Sequence, residues 1–309
     1  MYGLTSPFIC IRNFEEYTGD CPACGSSGSE PGRGRARSLS IWESIGLGVL
    51  QGLTEFLPVS SSGHLVIAQS FIGEFEQPGV LFDVMVHFGT MLAVLVFFRR
   101  ELFAVLRACL PGDRPAGAEG LSSAAGRKLA GIIVVATVTT GFLGLMFQDR
   151  IYALFESVQT VSAALVVTGV LLFLSDRVRE GRRGLENMRI IDGIIIGLVQ
   201  ACALVPGISR SGSTIAAGIF LGLKGEAAAR FSFLIAVPAI LGATILEMRQ
   251  VSMVSFETMM IYCIGAAAAA VVGFVTIALL MFVVSRRNLR YFAYYCWTLA
   301  CVLCLVNNL

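Results

Sequence analysis

Charge is scarce in this chain of 309 residues. Asp, Glu, Lys and Arg make up 14% of it, against roughly 25% in soluble domains. That deficit, with 56% hydrophobic residues and a mean hydropathy of +0.77, excludes an ordinary soluble globule. It places the chain among polytopic helical membrane proteins. A basic excess is missing too: the net charge of +2 is too small to argue for a nucleic-acid partner. Residues 1–40 lack the apolar core of a signal peptide. They are polar, rich in Gly, Ser and Arg, and read as a disordered extension. Cysteine is present nine times, and Cys21-Pro-Ala-Cys24 with Cys10 upstream has metal-ligand spacing. No second CxxC and no nearby histidine complete a zinc site. The other six cysteines (Cys109, Cys202, Cys263, Cys296, Cys301 and Cys304) lie in or beside apolar segments, where the thiol acts as a small hydrophobe.

What is abundant is apolar length. A span needs roughly 20 apolar residues, and six runs qualify: 80–98, 129–147, 156–175, 229–247, about 260–285 and 291–307. Two more apolar segments, 41–72 and 190–223, are interrupted midway by Pro, Gly and Ser. Each half is too short to cross alone, so both read as re-entrant helix–loop–helix hairpins surrounded by protein. The expected fold is an all-α polytopic membrane protein, with residues 41–309 forming one membrane domain. Lys and Arg number six in 99–128, five in 176–189 and three in 286–290, but one each in 148–155 and 248–258. The positive-inside rule puts the first group in the cytoplasm. The first hairpin then dips from the outside and the second from the inside. The acidic exit Gly73–Leu81 and the basic exit Lys224–Arg230 agree. Both termini fall outside on this count, which the Arg33–Arg37 cluster opposes.

The two halves align at a constant offset of 149 residues without a gap. Gln51/Gln200, Ser60/Ser209, Ser62/Ser211, Gly63/Gly212, Phe71/Phe220, Gly73/Gly222, Phe82/Phe231 and Leu92/Leu241 are identical. Each half, about 41–175 and about 190–309, has one hairpin and three spans. An odd number of crossings turns the second copy upside down, which is an inverted-topology repeat with its ligand site where the broken helices meet.

Polar residues concentrate at the two breaks. The first island, Gln51-Gly-Leu-Thr-Glu-Phe-Leu-Pro-Val-Ser-Ser-Ser-Gly-His64, holds Glu55, a carboxylate without an obvious route to solvent. An ionisable group at membrane depth is a functional-site hypothesis by default. The second, Pro206-Gly-Ile-Ser-Arg-Ser-Gly-Ser-Thr214, holds Arg210. The offset pairs Glu55 with Leu204, Ser61 with Arg210 and His64 with Ser213, so the copies diverge in their polar residues. Facing tips would form one site for a phosphate-bearing ligand. Arg210 offers a bidentate phosphate clamp, Gly207 and Gly212 leave room for backbone N–H groups, and Ser209, Ser211 and Thr214 add hydroxyls. The plainer reading is an arginine that satisfies loop carbonyls. Glu55 lies four residues after Gln51, on one helical face. The pair could hold Mg²⁺ or Ca²⁺ through oxygen, or Glu55 could act as a general base or simply pair with Arg210. Ser61 could be a nucleophile. His64 could attack directly or protonate the leaving group. Alternatively Ser60, Ser61 and Ser62 only cap a helix. Asp83 and His87 share a face at the start of a span and suit a supporting role, or a plain helix-end pair, better than chemistry.

These residues resemble the bacitracin-resistance family of undecaprenyl-diphosphate phosphatases. That family carries (Glu/Gln)-x-x-x-Glu followed by Phe-Leu-Pro-Val-Ser-Ser, and a second motif Pro-Gly-x-Ser-Arg-Ser-x-x-Thr. Gln51 to Ser61 and Pro206 to Thr214 match throughout, and Phe82–Thr90 is similar to the family's next block. The resemblance covers about residues 40–309. It implies hydrolysis of a C55 isoprenyl diphosphate to the monophosphate, which recycles the lipid carrier for peptidoglycan and other envelope polymers. It also implies a divalent cation, a plasma-membrane location with the site open to the periplasmic side, and bacitracin resistance on overproduction. Carried over, Glu55 and Arg210 are the firmest catalytic residues, with Ser61 or His64 as nucleophile. Gln51 weakens a two-carboxylate metal site. A lipid transporter built on the same repeat is the rival reading, and a homodimer is a candidate assembly.

Overall fold

The computed structural model describes residues 39–72, 81–110, 122–154, 158–179, 181–248 and 255–307. The extension with Cys10, Cys21, Cys24 and Arg33–Arg37, and the acidic exit up to residue 80, lie outside these. The described residues form helices α1 (Ile41–Phe56), α2 (Ser61–Ile72), α3 (Leu81–Phe97), α4 (Arg99–Ala108), α5 (Ser123–Met146) and α6 (Gln148–Leu154). Then follow α7 (Val158–Arg177), α8 (Ile190–Cys202), α9 (Arg210–Phe220), α10 (Gly225–Met248), α11 (Phe256–Ser285) and α12 (Arg290–Asn307). Extended pairing among them is limited to one isolated bridge, Arg183 with Leu223.

Helix starts follow local chemistry. Ser40 caps α1 in a capping box: its hydroxyl accepts from the Glu43 N–H, and the Glu43 carboxylate accepts from the Ser40 N–H. Ser122 and Ser255 cap α5 and α11 in the simpler way. Asp192, buried in the first turn of α8, accepts from the Arg189 N–H at 2.7 Å and pairs with Arg183. Arg183 also donates to the Leu221 carbonyl at the end of α9, so one cation clasps the outer ends of α8 and α9.

Each of the six long apolar runs holds a helix, but among the described residues α5, α7, α10 and α11 alone are long and apolar enough to cross a membrane singly. A fifth span arises if α3 and α4, bent by 75°, count as one. The reason is length. The 17 residues of α3 rise about 26 Å, short of a hydrocarbon core of roughly 30 Å. At Phe98 the chain then turns into α4, whose first residues are Arg99 and Arg100. Apolar α12 is also on the short side. The chain is thus a multi-pass membrane protein, nearly all-helical over its described residues.

The helices pack across the two halves. Helix α1 lies along α11, α8 along α5, and α7 along α12, while α3 joins α11 and α10 covers α9. Small residues permit the close crossings. A Cβ on Gly48 would stand 2.2 Å from the Gly265 carbonyl oxygen, and one on Gly197 2.7 Å from that of Ala136. Gly48 and Gly197 are 149 residues apart, so both halves bring the hairpin's first helix against its partner by the same small-residue device. Beneath the hairpin tips lies an aromatic floor. Phe56 and Phe98 both pack on Phe233, with ring centroids 5.6 and 5.5 Å away, and all three are fully buried.

Candidate active site

Each hairpin breaks for its own reason. Pro58 disfavours helical backbone at Leu57, which is extended at φ −63°, ψ 141°. The turn Leu57–Ser60 ends with Ser60 at φ +71°, and α2 begins at Ser61. The second turn, Ala203–Ser209, bends at Gly207 with φ +92°. A Cβ there would meet the Val161 carbonyl oxygen at 2.5 Å, so no other residue fits. Ser209 then caps α9, its hydroxyl accepting from the Gly212 N–H at 3.1 Å.

Neighbouring helices hold both turns. On α7, Thr168 donates to the Gly207 carbonyl and accepts from the Ser209 N–H. On α12, the Cys296 thiol donates to the Pro58 carbonyl at 3.6 Å. Val59 is buried with Val161, Leu165, Cys296 and Ala300. The tips touch, and Ser211 of the second donates to the Leu57 carbonyl of the first at 3.3 Å.

Glu55 and Arg210 meet at this junction. A guanidinium nitrogen of Arg210 donates to Glu55 Oε1 at 2.5 Å. The other carboxylate oxygen, Oε2, accepts from Ser61 Oγ at 2.7 Å and from Gln51 Nε2 at 3.0 Å, with His87 Nε2 3.6 Å away. Glu55 is only 7% exposed. A carboxylate so buried needs a counter-charge and hydrogen bonds, and it draws them from both hairpins and α3. Arg210 is anchored a second time on the Ser232 carbonyl of α10. Chemically this is a serine hydroxyl pointing at a base, beside a cation fit to hold a phosphate.

The remaining predicted residues are placed as follows. Ser60 and Ser62 share a hydrogen bond at 3.3 Å, as do Ser209 and Ser211 at 3.2 Å. Thr214 donates to the Arg210 carbonyl and shares a 2.6 Å bond with Ser232. The expected phosphate-binding hydroxyls thus bond within the hairpins and their supports. Ser209 takes the Gly212 and Ser213 N–H groups of the first turn of α9, which leaves the Arg210 fork at the start of that helix as the donor best suited to an anion. His64 lies apart from Glu55 and Arg210. Its Nδ1 is 2.7 Å from the Ser60 carbonyl oxygen and its Nε2 2.7 Å from the Tyr295 hydroxyl. His87, read from sequence as a supporting residue or as half of a plain helix-end pair with Asp83, faces Glu55 directly. Its Nδ1 contacts the Asp83 carbonyl, and Asp83 accepts from Gln69. Sequence reasoning missed Thr168, Ser232 and Tyr295. Only Ser232 left a signal: it occupies the position 149 residues after Asp83, so each hairpin has a polar residue facing it from the following helix.

Among the described residues no group of three or more His, Cys, Asp or Glu side chains could enclose a metal. One oxygen is nevertheless unspent. Gln51 Oε1 is buried without a hydrogen-bond partner, on the side chain whose amide nitrogen touches Glu55. One carboxylate and one amide oxygen suit a hard cation that takes its remaining ligands from a diphosphate, as Mg²⁺ commonly does.

Comparison with known proteins fits this geometry. The family model described as bacitracin resistance protein BacA matches residues 44–302. A relative from Syntrophotalea carbinolica named undecaprenyl-diphosphatase is 47% identical over 259 residues, which are 84% of this chain and 96% of the relative. Proteins of the same name from Methanobrevibacter smithii and Alkaliphilus metalliredigens are 40% and 37% identical, covering 84% and 88% of this chain and 95% and 100% of their own lengths. The matched span contains both hairpin turns, their supports and every residue around Glu55. The chain belongs to the BacA family of bacitracin resistance proteins.

Proposed function

We propose that this protein hydrolyses undecaprenyl diphosphate to undecaprenyl phosphate and inorganic phosphate within the membrane, at the junction of the two hairpins. The carrying observation is the contact of Glu55 with both Arg210 and Ser61, which joins an anion clamp, a base and a hydroxyl across 155 residues of sequence. The relatives' shared name, undecaprenyl-diphosphatase, supports the substrate and the hydrolytic reading over the transporter. Arg210, at the start of α9, holds the diphosphate and stabilises charge that develops on the transferred group. Ser61 Oγ loses its proton to Glu55 and attacks the terminal phosphorus. The anhydride P–O bond breaks and undecaprenyl phosphate leaves. Glu55 passes the proton to the departing phosphate; water, deprotonated by the restored carboxylate, then cleaves the phosphoserine, and that proton returns to Ser61 Oγ as inorganic phosphate leaves. The diphosphate displaces Glu55 from the guanidinium, which frees the carboxylate for proton transfer.

Gln51 Oε1 and Glu55 would hold a Mg²⁺ or Ca²⁺ ion together with the diphosphate. Such an ion supplies charge neutralisation at the phosphoryl oxygens. The finer architecture belongs to the same proposal: six crossings and two re-entrant hairpins, related as an inverted repeat, in the bacterial plasma membrane with the site open to the outer face. The packing of each hairpin's first helix on the opposite half supports the repeat. The basic 99–128 and 176–189 segments support the orientation.

Phosphate release from a polyprenyl diphosphate by the detergent-purified protein with Mg²⁺ or Ca²⁺ tests the reaction, since detergent abolishes transport. Turnover by the wild type, and its loss in Glu55→Ala and Arg210→Ala proteins of normal yield, is the expected result. A wild type that binds the lipid and releases no phosphate with either ion defeats the reading.

A further inference from the structure

We propose that His64 and Tyr295 form a positioning pair that fixes the Ser60 backbone and so aims Ser61 at Glu55, with His64 neither attacking nor protonating phosphate. The inference rests on the phosphatase reading and assigns Tyr295 a part in it.

The hydrogen bonds set the ring's protonation pattern. A carbonyl oxygen only accepts, so the 2.7 Å contact with Ser60 puts a proton on Nδ1 of His64. In the neutral ring Nε2 then accepts, and the Tyr295 hydroxyl at 2.7 Å donates to it. Tyr295 also lies nearly parallel to the imidazole, at 10° and 5.7 Å between centroids. Both ring nitrogens are occupied, and neither touches the Glu55–Arg210 cluster.

What they hold is a costly backbone. Ser60 is a non-glycine residue in the left-handed region at φ +71°, a conformation that lasts only where its surroundings over-determine it. Its carbonyl accepts from the His64 ring and also from the His64 backbone N–H at 3.3 Å. The next residue is Ser61, whose hydroxyl reaches Glu55. A rotated Ser60 peptide would carry that hydroxyl away.

The second hairpin supplies an independent argument. Ser213, the residue 149 positions after His64, donates its hydroxyl to the Ser209 carbonyl at 2.7 Å. Ser209 is in turn the counterpart of Ser60. The same bond therefore exists in the copy that has neither the acid nor the candidate nucleophile, so it belongs to the scaffold. The imidazole adds reach: its far nitrogen extends to α12, and Tyr295 thereby locks a turn that α12 already holds through Cys296.

The test is steady-state kinetics of phosphate release by the full chain in detergent, for wild type, His64→Ala, His64→Asn, Tyr295→Phe and the double variants. The asparagine amide can occupy the place of Nδ1–H but offers no acid, base or nucleophile. His64→Ala should lower kcat by about 100-fold, the scale of a misplaced reacting group. His64→Asn should stay within about tenfold of wild type, and Tyr295→Phe should lose about tenfold, both with KM little changed, each being one altered hydrogen bond. Adding Tyr295→Phe to either His64 variant should change nothing further. An Asn variant as inactive as the Ala variant, or additive effects of the two sites, overturns the pair. Histidine-selective ¹⁵N NMR reads the pair without turnover, because the chain has two histidines and His87→Gln identifies the other signal. An Nδ1–H tautomer at His64 is expected, retained in Tyr295→Phe with the Nε2 resonance shifted by loss of its hydroxyl donor, and an Nε2–H tautomer overturns the proposal. A wild type without turnover that still shows the Nδ1–H tautomer defeats the phosphatase reading and the pair's role in it, while leaving the pair as structure alone.

Discussion

The two hairpins are built alike and equipped differently. Both carry Ser-x-Ser-Gly at the start of the second helix, a serine pair sharing a hydrogen bond at 3.2–3.3 Å, and a back-bond from a side chain to the first serine's carbonyl. Both bury a glutamine, Gln51 or Gln200, whose side-chain oxygen has no hydrogen-bond partner. The reactive positions differ. Glu55 faces Leu204 in the alignment and Ser61 faces Arg210. Two copies of the first hairpin would set two carboxylates against each other, and two copies of the second would do so with guanidiniums. Either arrangement is repulsive at low dielectric. With the charges divided, each hairpin supplies the other's counter-ion, and the site exists only where they meet.

The largest effect should come from removing one half of that division. Arg210→Ala leaves Glu55 buried without its cation, which costs about 3–5 kcal/mol, and removes the phosphate clamp. We expect turnover to fall by about 10³-fold or more and the apparent melting temperature in detergent to drop. The exchange Glu55→Arg with Arg210→Glu sharpens the comparison. It restores the ion pair, so stability should largely return. It also puts the acid on the hairpin without Ser61, so phosphate release should stay at the level of the single variants. Recovery of activity in the exchange variant would mean that the two hairpins are chemically interchangeable.

Next in size is the hydroxyl contrast. Ser61→Ala removes the group that touches Glu55 Oε2 and should cost about 10²–10⁴-fold in kcat. With Glu55→Gln the losses should be strongly non-additive, because the two groups act as one unit. Ser211→Ala removes a hydroxyl at a matching depth in the second hairpin. That hydroxyl holds only the Leu57 carbonyl and its serine partner, so less than about tenfold should be lost. Equal losses from both serines, measured as rates of phosphate release, would deny Ser61 its special role.

Much of this division was legible in the sequence. The carboxylate and the arginine stand out because charge is rare in the chain, and the Pro, Gly and Ser breaks mark the two turns. The apolar runs coincide with α3, α5, α7, α10, α11 and α12. What did not show was the length of each crossing. The run ending at 98 matches the end of α3 at Phe97, but the 75° bend into α4 that follows left no hydropathy trace. The site's supports were hidden for a different reason. Thr168, Ser232 and Tyr295 are neutral residues in apolar helices, and each works through a contact 18 to 231 residues away in the chain. No local pattern encodes such a contact. His87 was visible as a face-sharing partner of Asp83, but its approach to Glu55 depends on how α3 docks.

The smallest effects on turnover should come from the turns themselves, and the two turns should respond unequally in stability. Both hairpins place one residue in the left-handed region, Gly207 at φ +92° and Ser60 at φ +71°. Gly207→Ala adds a Cβ to a backbone that disfavours it, 2.5 Å from the Val161 carbonyl oxygen and 2.8 Å from the Ala164 Cβ. Backbone strain alone is worth about 1–3 kcal/mol, and α7 must move as well, so a clear drop in melting temperature is expected. Ser60→Gly sets two effects against each other. It relieves the left-handed serine but frees the unfolded chain, and these terms of about 1 kcal/mol oppose each other. Stability should therefore change little. Turnover should fall modestly, because a glycine at 60 lets the peptide before Ser61 rotate even while His64 still donates to its carbonyl. A Ser60→Gly protein that melts far below wild type would show that the serine hydroxyl shared with Ser62, and not the backbone geometry, is what the first turn requires.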